Sequence, residues 1–274
     1  MPSDKAFIHP TAVVDPGAVL GEGAYIGPYC VVGPHVEVGP RTRLESHVVL
    51  DGWTVLGADN SIGMFSVLGT PPQDIGYQGE ETRVILGDRN VLREYVTVHR
   101  ATTKEERLTS IGSDNYLMAN VHVAHDCRLG DRTILINGVT LGGHVRVGDQ
   151  AMISAFSGIH QFSRIGRFAF IGGYSVITQD VVPFSRVVGA RPAKVFGLNV
   201  VGLRRKGFDR ERIAVIKAMF HRLFYAGLNT AQAVLAIRDE IAPGPDREEM
   251  LGFIAASKRG LVKKTAESWE SESE

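Results

Sequence analysis

Apolar residues recur at every sixth position along most of this chain. They run in steps of six from Ile8, Val14 and Leu20 to Leu68, reappear at Leu86, Leu92 and Val98, and run again from Ile111 to Ile177. Every one is Val, Ile or Leu. A period of six matches neither the 3.6-residue helix nor the two-residue strand, so it predicts a short strand and a turn repeated around a solenoid. The residue after the apolar one is often glycine (Gly21, Gly27, Gly39, Gly57, Gly87, Gly130), and four places after it stands a small or slender residue (Ala24, Cys30, Asn60, Ser66, Asn115, Cys127). The bulky residue fills the interior, the small one turns the corner, and glycine relieves crowding at the bend, where a Cβ is costly.

The pattern resembles the hexapeptide-repeat, left-handed parallel β-helix proteins, and it is this resemblance that implies the left hand. Two interruptions, 70–83 and 100–110, read as loops leaving the coil, and long excursions from a rigid scaffold tend to carry function. After Pro183 the period ends. Asn199 to Gly207 reads as a short basic helix, and Asp209 caps a longer one through Tyr225. Thr230 caps a third helix to about Ile241, Pro243-Gly244-Pro245 breaks the chain, and a fourth helix runs from about Asp246 to Ser257. Residues 263–274 read as a polar, frayed tail. The expected organisation is mainly β: a β-helix over 1–190 and a small α-helical domain over 191–274.

Composition narrows the function classes. Lys+Arg 30 against Asp+Glu 30 leaves a 274-residue chain with no net charge, which removes the global basic field of a nucleic-acid binder. No apolar run approaches the ~18 residues of a membrane span, and Met1-Pro2-Ser3-Asp4-Lys5 does not open a signal peptide, so the expectation is a soluble, cytoplasmic protein. The two cysteines, Cys30 and Cys127, both fall in the small corner slot and read as buried small hydrophobes. Charge does concentrate locally: between 199 and 224 stand Arg204, Arg205, Lys206, Arg210, Arg212, Lys217 and Arg222 against only Asp209 and Glu211. Such a patch suits a diphosphate or an acidic protein surface.

Four of nine histidines, His122, His125, His144 and His160, lie in one short region. In the hexapeptide-repeat family a coil takes 18 residues, so His125 is expected to stack beneath Gly143, with Gln161 one coil further and the other three histidines close by, adjacent coils being ~4.8 Å apart. Asp126 is placed to orient His125, and the Gly143 N–H to meet an oxyanion. No Ser or Cys nucleophile with a matching base stands out, which favours direct general-base acyl transfer over a covalent intermediate.

The stretch from Asp114 to Cys127, Gly142-Gly143-His144, His160-Gln161-Phe162, Pro72-Gln73-Asp74 and Gly202 to Phe208 together resemble the UDP-N-acetylglucosamine 3-O-acyltransferases, which begin lipid A biosynthesis. The resemblance covers nearly the whole chain. It implies His125 as general base, Asp126 as its partner and Gly143 as oxyanion donor. Asp74, His122, His144 and Gln161 hold the glucosamine, Gln73 and His160 contact sugar or acyl chain, and Asn199, Arg205 and Lys206 bind the uridine diphosphate. It further implies an acyl carrier protein as donor and a UDP-sugar as acceptor, with neither cofactor nor metal, in a homotrimer with sites between subunits, the 70–83 loop acting on a neighbour. Gly173 falls where the family's side chain limits acyl length, and glycine there predicts a longer 3-hydroxyacyl chain unless Phe168 or Phe170 shortens the groove. Two departures stand out: Gly76 where the family usually has lysine, and Val201 where it often has an acid. They leave open a 3-amino UDP-sugar acceptor. The other rivals are a zinc hydratase of the trimeric carbonic anhydrase type, the N-acyltransferase acting later in the pathway, which carries an additional N-terminal domain, and a non-enzymatic β-helix serving as a structural or binding surface.

Overall fold

The computed structural model describes residues 5–263. Strands of mostly two residues stack into three parallel sheets that form the sides of a prism. Face A runs from Phe7–Ile8 to Ser185–Val188, face B from Val13–Val14 to Val176–Ile177, and face C from Val19–Leu20 to Arg164–Ile165. The chain visits A, B and C in turn, so each strand pairs with the one a full coil later, as Ile134 does with Met152. The coil is therefore 18 residues, as the family resemblance requires.

The six-residue period is the inward column. Ile26, Leu44, Ile62, Leu92, Leu117, Leu135, Ile153 and Ile171 are each at most 1% exposed on face A alone. Burying one such side chain stabilises the fold by about 2 kcal/mol. The slender corner residues are equally buried, and they satisfy one another: Asn90 donates to Asn60 Oδ1 at 3.0 Å, Asn115 to Asn90 Oδ1 at 3.0 Å, and Thr133 to Asn115 Oδ1 at 2.7 Å. Glycine after the apolar residue is forced by close approach of the next coil. A Cβ on Gly39 would stand 2.3 Å from the Gly57 carbonyl oxygen. Cys30 and Cys127 are free and buried, and burial pushes the Cys127 thiol up to about 12.

Both excursions leave the corner between faces B and C, and both are shorter than the sequence suggests. Val67 pairs with Thr97, 30 positions on, and Thr97 with His122, 25 on, so the insertions are 71–82 and 101–107. Thr70 and Arg83 stay in strands, as do Leu108–Ser110, because these residues continue the ladder: Arg83 pairs with both Trp53 and Leu108.

Beyond Pro183 the period is lost but the stack continues. Ser185–Val188 adds a strand to face A and turns back antiparallel onto Lys194–Leu198, a hairpin spanning the expected 190/191 boundary. Four helices follow: α1 (Val200–Arg205), α2 (Arg210–Phe224), α3 (Thr230–Glu240) and α4 (Pro245–Ala255). Asn199 and Asp209 cap α1 and α2. The cap of α3 is Asn229, not Thr230: Asn229 and Gln232 form a reciprocal capping box, which leaves Thr230 in the first turn. α2 buries Ile213, Ile216, Phe220 and Leu223 at helical spacing. Phe208 meets Phe168 edge-on at 4.9 Å, and Arg167 pairs with Glu249 at 2.8 Å, so the helices are docked on the last coils. Of the expected frayed tail, Lys263 is placed, its carbonyl accepting from Val195 N at 2.9 Å; residues 264–274 lie outside the described ones. No helix among the described residues is long and apolar enough to cross a membrane.

Candidate active site

Two positions at each corner build the site. The residue two places after the inward one is Pro in several coils (Pro10, Pro16, Pro28, Pro34, Pro40), which shows that the ladder does not need an N–H there. His125, Gly143 and Gln161 occupy this slot on consecutive coils of the B/C corner, and no acceptor among the described residues takes the Gly143 N–H. The next residue turns the corner in the left-handed region, and here it is Asp126 (φ 60°), His144 (φ 62°) and Phe162 (φ 64°). The scaffold thus delivers an imidazole, a spare amide donor and a carboxylate to one edge.

Their geometry is that of an oriented base. His125 Nδ1 lies 2.8 Å from Asp126 Oδ2, which leaves Nε2 for a substrate proton. The imidazole lies over Gly143, where a Cβ would stand 2.5 Å from His125 Cε1 and 2.7 Å from Nε2, so only glycine fits beneath it. Asp126 is 2% exposed. Burial pushes its carboxyl up, but hydrogen bonds from His125 and Thr102 outweigh this and hold it below the usual range. Thr102 donates to Oδ2 twice, from its N–H at 3.0 Å and its hydroxyl at 2.8 Å. His144 stacks on Phe162 at 4.3 Å and brings Nε2 to 3.7 Å from the same oxygen.

His122 shares its Nδ1 with the Thr97 hydroxyl at 2.7 Å and meets His99 edge-on at 4.9 Å. Burial, then the charge of His125, lowers the His122 pKa. His99 goes further, to about 4, driven first by burial and then by His122 and His125. Asp74 reaches the edge from the 71–82 excursion of the same chain. Its carboxylate takes the Gly76 N–H at 2.8 Å and an ion pair from Lys104, which together with nearby His125 lower its pKa. Asp74 is thus placed, within one chain, at the corner that carries His125. His160 and Gln161 lie at the exposed end of the column, where His160 Nδ1 approaches the Gln161 carbonyl at 3.1 Å; Gln73 is exposed on its loop.

The remaining candidates are elsewhere. Asn199, Arg205 and Lys206 line a cavity of about 540 Å³ on face A, with Arg186, Arg204 and Lys217 as further cations and Met152 and Phe170 as apolar floor. No acidic residue lines it among the described residues. Asn199 is also structural, accepting from Gly202 N at 3.1 Å and donating to the Phe168 carbonyl at 3.0 Å. Of the seven basic residues in the sequence patch, Arg212 and Arg222 are tied to Asp246 and Glu240. Phe168 and Phe170 both line this cavity, Phe168 buried and Phe170 half-buried on face A. Gly173 sits at the A/B corner, across face B from His125. One chain does not bring these residues to the base.

Sequence reasoning missed His99, because the seven-residue insertion after it shifts the 18-residue count, and Thr102 and Lys104, because they lie in that insertion, outside the repeat. It also missed the register-aligned Arg128, Arg146 and Arg164 on face C, whose spacing of 18 is visible in the chain. Glu106 reaches Arg128 at 2.8 Å, and Glu105 lies 3.6 Å from Arg146 and 3.4 Å from His144 Nδ1.

A metal site is the chemical alternative, since His125, Asp126 and His144 offer ligand atoms within 4.8 Å of one another. The fit is poor. A tetrahedral zinc with bonds of ~2.1 Å holds its ligand atoms ~3.4 Å apart, whereas His125 Nδ1 and Asp126 Oδ2 stand at the 2.8 Å of a direct hydrogen bond.

Short parallel hexads stacked in three faces are the build of a hexapeptide-repeat transferase, and residues 17–52 and 108–143 match the bacterial transferase hexapeptide model. Residues 180–262 match the second domain of the UDP-N-acetylglucosamine O-acyltransferases. The acyl-[acyl-carrier-protein]–UDP-N-acetylglucosamine O-acyltransferase of Syntrophobacter fumaroxidans is 46% identical over 93% of this chain and 99% of its own. The enzyme of that name from Verminephrobacter eiseniae is 47% identical over 78% and 83%. Among solved structures, LpxA from Acinetobacter baumannii superposes with a TM-score of 0.91 at 42% identity, covering 93% of this chain and 99% of that one. The chain belongs to the acyl-[acyl-carrier-protein]–UDP-N-acetylglucosamine O-acyltransferase family.

Proposed function

We propose that this protein transfers a 3-hydroxyacyl chain from acyl carrier protein to the 3-hydroxyl of UDP-N-acetylglucosamine, the first step of lipid A biosynthesis. The observation that carries the mechanism is the His125 imidazole, held by Asp126 above an amide N–H that the scaffold leaves unused. His125 Nε2 takes the proton of the sugar hydroxyl as its oxygen attacks the thioester carbonyl. The Gly143 N–H faces the oxyanion. As the C–S bond breaks, His125 returns the proton to the leaving thiolate. Asp126 stays ionised and stabilises the imidazolium between the two transfers. Asp74, His122, His144 and Gln161 hold the sugar, with Gln73 and His160 beside it.

The cationic cavity at Asn199, Arg205 and Lys206 suits the uridine diphosphate, and Gly173 with Phe170 suits the acyl chain. Because these groups stand on other faces of the prism, a second copy of the chain must present them to His125. This supports a homotrimer with sites between subunits, working in the cytoplasm without metal or cofactor.

The test offers the protein UDP-N-acetylglucosamine, its 3-amino analogue and a ladder of 3-hydroxyacyl carrier proteins, with products identified by mass. An ester-linked product is expected, and His125→Ala should lower kcat by about 10³, the scale of a lost general base. No product from any pair, or undiminished turnover in the variant, would sink the reading.

A further inference from the structure

The two excursions leave the B/C corner on successive coils and meet over the site. Asp74 is the point of contact: one oxygen takes the Gly76 N–H and the other the ammonium of Lys104. Lys104 continues inward through its own backbone. Its N–H donates to the Thr102 hydroxyl at 3.3 Å, and that hydroxyl donates to Asp126 Oδ2, the oxygen that holds His125. Arg100, just before the second excursion, ties the first one back to its own strand, donating to the Tyr77 hydroxyl at 2.9 Å and to the Gly69 carbonyl at 2.8 Å. Lys104 therefore touches Asp74 with its ammonium and, with its backbone N–H, the hydroxyl that holds Asp126.

Lys104 is 59% exposed and Asp74 only 14%, so the ammonium is at the mouth while the carboxylate faces the site. An exposed ion pair adds little to folding stability, so the effect of this one falls on where Asp74 points. Position 76 lies on the other side of the same carboxylate: a Cβ there would stand 3.1 Å from Asp74 Oδ1 and meet nothing else within 4 Å.

Resting on the acyl-transfer reading above, we propose that Lys104 is a positioning residue that fixes Asp74 to receive the acceptor sugar, supplying from the second loop the cation absent at position 76. The experiment is a steady-state comparison of wild type, Lys104→Met, Lys104→Arg and the double variant Gly76→Lys/Lys104→Met, with UDP-N-acetylglucosamine and acyl carrier protein varied in turn. Lys104→Met should raise the KM for the UDP-sugar about tenfold, the size of a lost charge-assisted contact, with kcat within about threefold and the KM for acyl carrier protein unchanged. Its Tm should match wild type. Lys104→Arg should stay within about twofold of wild type, and the double variant should recover most of the loss, because the charge returns to the same carboxylate. An unchanged acceptor KM in Lys104→Met overturns the proposal, as does a loss that neither Lys104→Arg nor the double variant repairs. Wild type inactive on UDP-N-acetylglucosamine would instead overturn the acyl-transfer reading. Calorimetric titration of UDP-N-acetylglucosamine into wild type and Lys104→Met then decides on Lys104 alone, weaker binding in the variant supporting it and equal binding overturning it.

Discussion

The B/C corner and the C/A corner use the same backbone at the same spacing and have opposite outcomes. At the C/A corner the left-handed position holds Arg41, Asp59, Arg89, Asp114 and Arg132, charges of alternating sign. Arg41 and Asp59 pair through two bonds of 2.7 Å, and Arg89 with Asp114 through bonds of 2.7 and 2.9 Å, all in solvent. The slot before it donates sideways to carboxylates: Ser113 N to Asp131 Oδ1 at 2.7 Å, Asp131 N to Asp149 Oδ1 at 3.0 Å. That slot therefore binds a negatively charged oxygen wherever one is supplied. At the B/C corner the matching N–H, on Gly143, meets no such carboxylate, and the charges next to it are buried beneath two loops. What separates a surface ion ladder from the proposed catalytic edge is cover, not fold.

The contrast is broken most severely by filling the slot at the covered corner. Gly143→Ala places a methyl group against the His125 imidazole and should lower kcat by about 10², the effect of roughly an ångström of misplacement, with a Tm within a few degrees of wild type. Unimpaired turnover would show that the close approach of His125 and Gly143 is not needed. Acid should separate the corners next. His99 is held neutral to about 4 in the folded chain, so between there and the ordinary histidine pKa of ~6.5 the unfolded chain binds the extra proton and stability falls as pH falls. Asp59 and Asp114, lowered first by their arginine hydrogen bonds, contribute only above the carboxylate range and lose that contribution on further acidification. Urea unfolding from pH 7 to 4 should thus show a slope that His99→Gln reduces, whereas Asp59→Asn leaves it intact; equal slopes in all three would refute the assignment. The smallest effect belongs to the open corner. Arg41→Ala should leave Tm and kcat unchanged in thermal scans and steady-state assays, since exposed pairs are screened by water.

Much of this was legible in the chain. The six-residue column reads directly because a bulky residue must point inward once per side, and the alignment of His125, Gly143 and Gln161 follows once the family's coil length is adopted. The proline slot, which explains why the Gly143 amide is spare, was equally visible at Pro28, Pro34 and Pro40. His99 was hidden by the seven residues inserted after it. The Lys104–Asp74 pair joins loops without periodicity, so no count could find it. The hairpin of Ser185–Val188 with Lys194–Leu198 was missed for a related reason: its antiparallel pairing leaves no mark at period six.

The 18-residue register also bears on how such a chain acquires activity while still folding. Each strand closes onto one a fixed, short distance back, so structure can propagate coil by coil without a distant partner. Lengthening a coil from 18 to 30 or to 25 residues, as the two excursions do, adds only about 0.5 and about 0.3 kcal/mol of loop-closure entropy on logarithmic scaling. A solenoid can therefore take up the segments that carry Asp74, Thr102 and Lys104 at little thermodynamic penalty, and chemistry can be inserted at one corner while the other two keep assembling as before.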